Sequence, residues 1–293
     1  MRCRSSVLST RLQVVWVFVL LLTCGGHGPA GRAQHRRALT EEFRVHRDFR
    51  SKFLPQGREI VVWLPLGYDS QPAQRYPVLY MQDGGDVFVT LRIDEIAKPL
   101  IASQQNEPLI IVMVSIGGTL DDRFDEYTPT RNANGKGGKA DLYGRMLVEE
   151  LKPFIDSEYR TRTDAPNTGL GGFSLGGLVS LYLGLKHPTV FGRLAVMSPS
   201  VWWDNKLIVR NVKALASKPA TRIWLDIGTD EGPTQVGGVK DLRDALVKKA
   251  WILSSDLMYF EAKGGRHDLA SFAKCAGPML KYLFAQPRPD QLP

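Results

Sequence analysis

The chain has 293 residues, 43% of them apolar and 23% charged, with a net charge of +8 and three cysteines. That composition is globular, long enough to bury a sizeable core without staples, and far from disordered or collagen-like bias. Cys3, Cys24 and Cys275 form neither a disulfide framework nor a CxxC or Cys/His metal pattern, so a small cystine scaffold and a structural zinc site are excluded.

The positive charge is concentrated at the start. Arg2, Arg4 and Arg11 precede the apolar run Val14–Leu22, and small residues follow as far as Ala33. A basic start, a short apolar core and a small-residue cleavage region describe a secretory signal peptide over residues 1–33. Nine apolar residues in a helix cover only about 14 Å of a hydrocarbon layer about 30 Å thick, so no stable membrane span is expected. Leu21-Leu22-Thr23-Cys24 is similar to a lipoprotein box that would lipidate Cys24, but Thr fits poorly before that cysteine. The expected location is periplasmic or extracellular. Removing residues 1–33 takes away four arginines and no acid, which halves the net charge. No basic stripe interleaved with aromatics remains, so a nucleic-acid partner is not expected.

Residues 34–57 read as a charged, irregular N-terminal extension carrying Arg36, Arg37, Arg44, Arg47 and Arg50. Beyond it, short apolar runs predict strands over 59–64, 77–82, 109–115, 168–173, 194–198, 222–227 and 257–262. Helical spacing predicts helices over 141–159, 175–186, 206–217, 239–251 and 269–284. Runs apolar throughout suit strands covered on both faces, and their alternation with helices predicts an α/β protein with a mostly parallel central sheet. One domain spans 58–285, and 286–293 is a tail. Residues 117–140, rich in Gly, Asp, Asn and Thr, read as a long surface loop at the carboxyl edge of the sheet, where such folds bind ligands.

The sharpest motif is Gly172-Phe173-Ser174-Leu175-Gly176, a G-x-S-x-G between a predicted strand and a predicted helix. A tight strand-to-helix turn lifts the serine hydroxyl above the sheet, and bulky neighbours would clash there. Serine is a weak nucleophile and requires a base oriented by a carboxylate. Two histidines follow Ser174. His187 ends a helix, where a packing role suits it, whereas His267 lies after the last strand, in the chain order Ser, acid, His. For the acid, Asp230 and Glu231 both follow the strand 222–227, and Asp226 lies within it.

Several ordered motifs accompany these: Arg58–Pro65 with Gly67-Tyr68, Tyr80–Gly84, Arg123 with Glu126–Pro129, Gly171–Gly177, Ser198-Pro199-Ser200 with Trp202-Trp203, and Gly264–His267. Together they resemble the putative-esterase family of α/β-hydrolases, which includes enterochelin-type and feruloyl esterases, over residues 58–285. The resemblance implies an α/β-hydrolase fold and an acid three residues beyond the glycine that ends the strand, which is Glu231. It also implies an oxyanion hole made by the backbone N–H groups of Leu175 and Gly85. Trp202 and Trp203 are candidates for walling a substrate pocket or for core packing. Arg123 is a candidate for holding an anionic substrate, or for pairing with Glu126 or Asp125. The activity implied is hydrolysis of a small-molecule or glycan-linked carboxylic ester through an acyl-enzyme, with no metal or organic cofactor required. An acyltransferase using the same acyl-enzyme is the alternative, and a non-catalytic binding protein on this fold is the reading from another class.

Overall fold

A computed structural model describes residues 40–286. The predicted signal segment 1–33 with Cys3 and Cys24, the start of the extension at 34–39, and residues 287–293 lie outside the described residues.

The strands are β1 (Phe43–Phe49), β2 (Arg58–Trp63), β3 (Val78–Gln82), β4 (Ile110–Val114), β5 (Thr168–Phe173), β6 (Arg193–Met197), β7 (Arg222–Gly228) and β8 (Leu257–Ala262). They form a sheet in the order β1-β2-β4-β3-β5-β6-β7-β8. From β4 to β8 across the sheet every pairing is parallel, while β2 runs antiparallel to both β1 and β4. Helices cover both faces, which is the α/β-hydrolase arrangement the motifs imply. Each central strand supplies two cores by alternation. Ile60, Val62, Val78, Tyr80, Ile110 and Val112 face one layer, while Val61, Trp63, Leu79, Met81, Ile111 and Met113 face the other.

The first layer takes α4 (Ala140–Arg145), α5 (Lys152–Glu158), α6 (Leu175–Lys186), α7 (Trp203–Ala214) and α8 (Pro233–Lys248). The second takes α2 (Ile93–Ala102) and α9 (Leu269–Leu283). Between β3 and α2, the short turn α1 (Gly84–Asp86) runs into a π-helical turn, Val87–Leu91.

The elements depart from the sequence reading most in five places, the first being α2 itself, Ile93–Ala102, where no helix was read. Phe43–Phe49, read as irregular, is an edge strand: Phe43 and Val45 pack inward while Arg44 and His46 take the opposite face. Arg47 and Asp48 stay exposed at the sheet edge, while the His46 ring packs edge-on against Phe154 and bonds the Tyr159 hydroxyl at 2.8 Å. The predicted loop 117–140 contains α3 (Leu120–Tyr127), started by a capping box in which the Thr119 hydroxyl accepts from Asp122 N–H and the Asp122 carboxylate accepts from Thr119 N–H. Its Leu120, Phe124 and Tyr127 fall at helical spacing, but the helix spans only two turns among Gly, Asp, Asn and Thr residues, and the stretch reads as loop. The stretch 141–159 is helical but passes through a π turn at Met146–Leu151. Finally, α8 begins at Pro233 instead of Val239, because its first turns are polar and glycine-bearing.

Candidate active site

Ser174 sits between β5 and α6 with φ 57° and ψ −124°, a conformation that costs a non-glycine residue strain. Small neighbours make the turn feasible. A Cβ on Gly172 would come within 2.8 Å of the Gly176 carbonyl carbon, and one on Gly177 within 2.9 Å of Met197 O. Ser174 N–H donates to Met197 O at 3.0 Å, tying the turn to the end of β6.

His267 lies in the turn between β8 and α9. That turn is closed by Gly265 N–H to Ala262 O at 2.9 Å and Asp230 N–H to Gly265 O at 2.9 Å. Asp268 then caps α9 by accepting from Ser271 N–H at 2.8 Å. The imidazole Nε2 is 2.9 Å from Ser174 Oγ, and Nδ1 is 2.6 Å from Glu231 Oε2. Phe272 meets the ring edge-on at 5.3 Å. The other oxygen of Glu231, Oε1, accepts from Gly228 N–H at 2.9 Å and from the Ser198 hydroxyl.

Of the three acids near β7, only Glu231 reaches the imidazole among the hydrogen bonds of the described residues. Asp230 turns outward to Thr229 Oγ1, 3.1 Å away. Asp226 points into the protein, accepting from Trp224 Nε1 at 2.6 Å and from Ser198 N–H at 2.9 Å. Burial pushes its carboxyl up to about 7, against the two hydrogen bonds, with the charge of Glu231 adding to the rise.

The second half of the site lies beyond β3. Leu175 is the first residue of α6 and Gly85 the middle residue of α1. A Cβ on Gly84 would come within 2.7 Å of the β4 backbone, whereas one on Gly85 would meet nothing within 4 Å. Close packing therefore demands glycine at 84 and not at 85. Gly85 lines a cleft of about 360 Å³ with Asp83, Asp86, Ser115, Ile116, Leu120 and Arg123.

Arg123 does not pair with Glu126 or Asp125. Its Nε and Nη2 donate to the two oxygens of Asp83 at 2.6 and 2.8 Å. Asp83, at φ 58°, also gives its N–H to the Tyr127 hydroxyl at 3.0 Å. Glu126 belongs to Arg58, in a buried two-pronged pair at 2.9 and 2.9 Å, and Asp125 belongs to Lys139 at 2.7 Å. Both helix neighbours already have cations of their own, and the carboxylate at the end of β3 is where the Arg123 guanidinium fork fits.

The two tryptophans separate. Trp203 is buried and donates from Nε1 to Thr130 Oγ1 at 3.1 Å, anchoring the loop after α3. Trp202 is 47% exposed, with its ring 5.8 Å from that of Trp203. Among the described residues no group of three or more His, Cys, Asp or Glu is placed to hold a metal ion, and no helix is long and apolar enough to cross a membrane.

The family model described as Putative esterase matches residues 51–269. The chain belongs to that family. It is thereby a carboxylic ester hydrolase. This esterase is 30% identical over 237 residues to the uncharacterized protein YjcH of Bacillus subtilis, covering 80% of the chain and 94% of YjcH. It is also 28% identical over 234 residues to an endo-1,4-β-xylanase/feruloyl esterase of Xylanibacter ruminicola, covering 76% of the chain and 29% of that larger protein. The solved structure of the BES protein from Bacillus cereus superposes with a TM-score of 0.70 at 24% identity, covering 85% of this esterase and 97% of BES. At that identity the likeness speaks for the fold.

Sequence reasoning assigned no role to Ser198, Ser200 or Asp83 in this esterase, and gave Tyr127 the same alternatives as Arg123, substrate contact or loop pinning, of which the bond from Asp83 N–H favours the second. All four lie in or beside the quoted motifs, so motif membership was the available signal. What they touch depends on partners 26 to 44 residues away.

Proposed function

We propose that the protein is an exported serine esterase in which Ser174 is the nucleophile, His267 the base and Glu231 the acid. Ser174 Oγ attacks the ester carbonyl carbon while His267 Nε2 takes its proton, and the alcohol leaves with that proton. Water then attacks the acyl-enzyme, again deprotonated by His267, and the carboxylic acid departs as Ser174 Oγ recovers its proton. Glu231 accepts from Nδ1–H, which keeps the Nε2 lone pair toward Ser174 and stabilises the imidazolium. Backbone N–H groups of Leu175 and Gly85 are the proposed donors to the tetrahedral oxyanion.

One observation carries this reading: His267 Nε2 lies 2.9 Å from Ser174 Oγ while Nδ1 lies 2.6 Å from Glu231 Oε2, a continuous hydrogen-bonded chain assembled from three separate loops. The basic start, short apolar run and small residues of 1–33 support export as a signal peptide, with an extension at 34–57 and a catalytic domain over 58–285. The feruloyl esterase among the relatives supports a small-molecule or glycan-linked carboxylic ester as substrate. For Arg123, whose fork is occupied by Asp83, the reading is a pin for the Gly85 loop. Trp202 is the tryptophan assigned to the substrate.

Labelling of residues 34–293 by a fluorophosphonate, with Ser174→Ala and heat-denatured protein as controls, tests the reading. Labelling of the folded wild type alone is expected, and absence of labelling would overturn it. Products analysed with an added alcohol acceptor distinguish hydrolysis from acyl transfer.

A further inference from the structure

The turn Ser198-Pro199-Ser200 leaves β6 and passes between the acid and the nucleophile. Its first hydroxyl donates to Glu231 Oε1, and its second lies 3.3 Å from Ser174 Oγ. Ser198 and Ser200 are 1% and 2% exposed, so water does not compete for either bond. The backbone holds both ends in place. Ser198 N–H donates to Asp226 O at 3.1 Å and to Asp226 Oδ1 at 2.9 Å, while Ser200 N–H donates to Ser174 O at 3.1 Å. The result is a closed ring: Ser174 to His267, His267 to Glu231, Glu231 to Ser198, and through two peptide bonds to Ser200 and back to Ser174.

Two features mark the first hydroxyl as more than packing. With Oε1 of Glu231 filled by Gly228 N–H and the Ser198 hydroxyl, only Oε2 is left to face the imidazole, which sets the carboxylate's rotation. Ser198 also has φ +43°, a left-handed conformation that glycine adopts freely and serine adopts at a cost. A strained serine occupies a position where the backbone favours glycine, and what glycine lacks is the hydroxyl.

We infer that the Ser198–Ser200 turn is a clamp for the reaction centre, with Ser198 a positioning residue that aims Glu231 at His267 and Ser200 holding the Ser174 hydroxyl toward the base. The inference rests on the serine-esterase reading above. Ser200 donates to Ser174 Oγ while Ser174 O–H points to Nε2, so the nucleophile's rotamer is held from both sides.

The test compares Ser198→Gly, Ser198→Ala and Ser200→Ala with the wild type, purified after export, on a 4-nitrophenyl ester. Thermal unfolding is measured alongside. Ser198→Gly is the decisive variant because it removes the hydroxyl while relieving the backbone. It is expected to unfold at the same temperature as wild type or higher, yet to lose roughly 10- to 100-fold in kcat with KM within about threefold, the size of one lost bond to a charged group. The acid limb of its kcat/KM profile is expected to move to lower pH, because a Glu231 carboxylate no longer held by the hydroxyl on Oε1 aims less well at the imidazolium. The other charged groups around His267, Arg266 and Asp268 beside it and Asp226 behind Ser198, are unchanged. Ser200→Ala is expected to lose about 3- to 10-fold in kcat, since its bond is long and neutral.

A purely structural Ser198 would leave kcat and the acid limb untouched in Ser198→Gly, and that result overturns the clamp even if Ser198→Ala fails to fold. A wild type that neither takes the fluorophosphonate nor turns over the ester overturns the esterase reading and the clamp with it. An active wild type matched by Ser198→Gly overturns the clamp alone.

Discussion

Above β5 to β8, the candidate reacting groups are held by neutral donors: Gly228 N–H and the Ser198 hydroxyl on Glu231, and the Ser200 hydroxyl beside Ser174. Beside β3 and β4, a few strands along the same edge, the Gly85 loop is held by ion pairs. Arg123 grips Asp83, and one turn later on α3 Glu126 grips Arg58 in the interior. The contrast follows from what each half has to do. In the proposed mechanism a proton moves twice per turnover around His267, and the one fixed charge bonded to the ring is Glu231, which neutral donors hold without cancelling its charge. An oxyanion donor must instead stay still while charge develops in front of it, and paired guanidiniums with carboxylates supply rigidity without net charge. Asp226, behind Ser198, is likewise buried without a cation, and desolvation pushes its carboxyl up.

The comparison is tested most severely by removing one member from each half. Ser174→Ala should abolish ester turnover, by about 10⁴-fold or more in kcat, with an unchanged unfolding temperature. Arg58→Met should do the reverse in kind. It leaves the buried Glu126 carboxylate without its cation, which costs about 3–5 kcal/mol of stability by denaturant unfolding. Equal stability in that variant would mean the ion pair does not hold α3 against the sheet.

A smaller effect comes from Asp226, and its sign is fixed by the direction of the shift. With a folded value near 7 against an ordinary value of 3.8, the folded state keeps a proton between those pH values that the unfolded chain has lost. Its contribution to stability therefore falls as pH rises from about 4 to about 7 and is level above, by at most about 4 kcal/mol. Denaturant unfolding of wild type and Asp226→Ala at pH 5 and pH 8 isolates it: the stability of wild type relative to the variant should decline with rising pH, whereas His46 and His187, both lowered by burial, act on the two proteins alike and in the opposite sense. The smallest effect belongs to Trp202, half-exposed beside the buried Trp203. Trp202→Ala should raise KM a few-fold with kcat and stability nearly unchanged, while Trp203→Ala should lose stability by several kcal/mol through its cavity and the orphaned Thr130 contact. If the two variants behaved alike, the division of the pair into a substrate wall and a core anchor would fail.

Much of the candidate site was legible because its rules are local. A serine at positive φ between a strand and a helix needs small residues at 172, 176 and 177, and those glycines are written in the chain. Strand and helix alternation likewise follows from apolar period, which is why β2 to β8 were found; β1, whose run FRVHRDF interleaves two arginines, a histidine and an aspartate with its apolar residues, was not. The capping box of α3 was present as Thr119 and Asp122, with Leu120, Phe124 and Tyr127 at helical spacing behind it, but two turns amid Gly, Asp and Asn residues read as loop.

What the sequence by itself determined is thus the order of β2 to β8 and of the helices from residue 141 onward, the turn at Ser174 and the loop positions from which His267 and its acid arise. The tertiary structure decided where side chains aim: Glu231 toward His267 while Asp230 turns to Thr229, Arg123 toward Asp83 instead of its helix neighbours, and the Ser198 hydroxyl onto Glu231. The physical reason is range. Backbone conformation is governed by residues a few positions away, whereas a carboxylate or guanidinium takes whichever partner the packed sheet brings within 3 Å, across tens of residues of intervening chain.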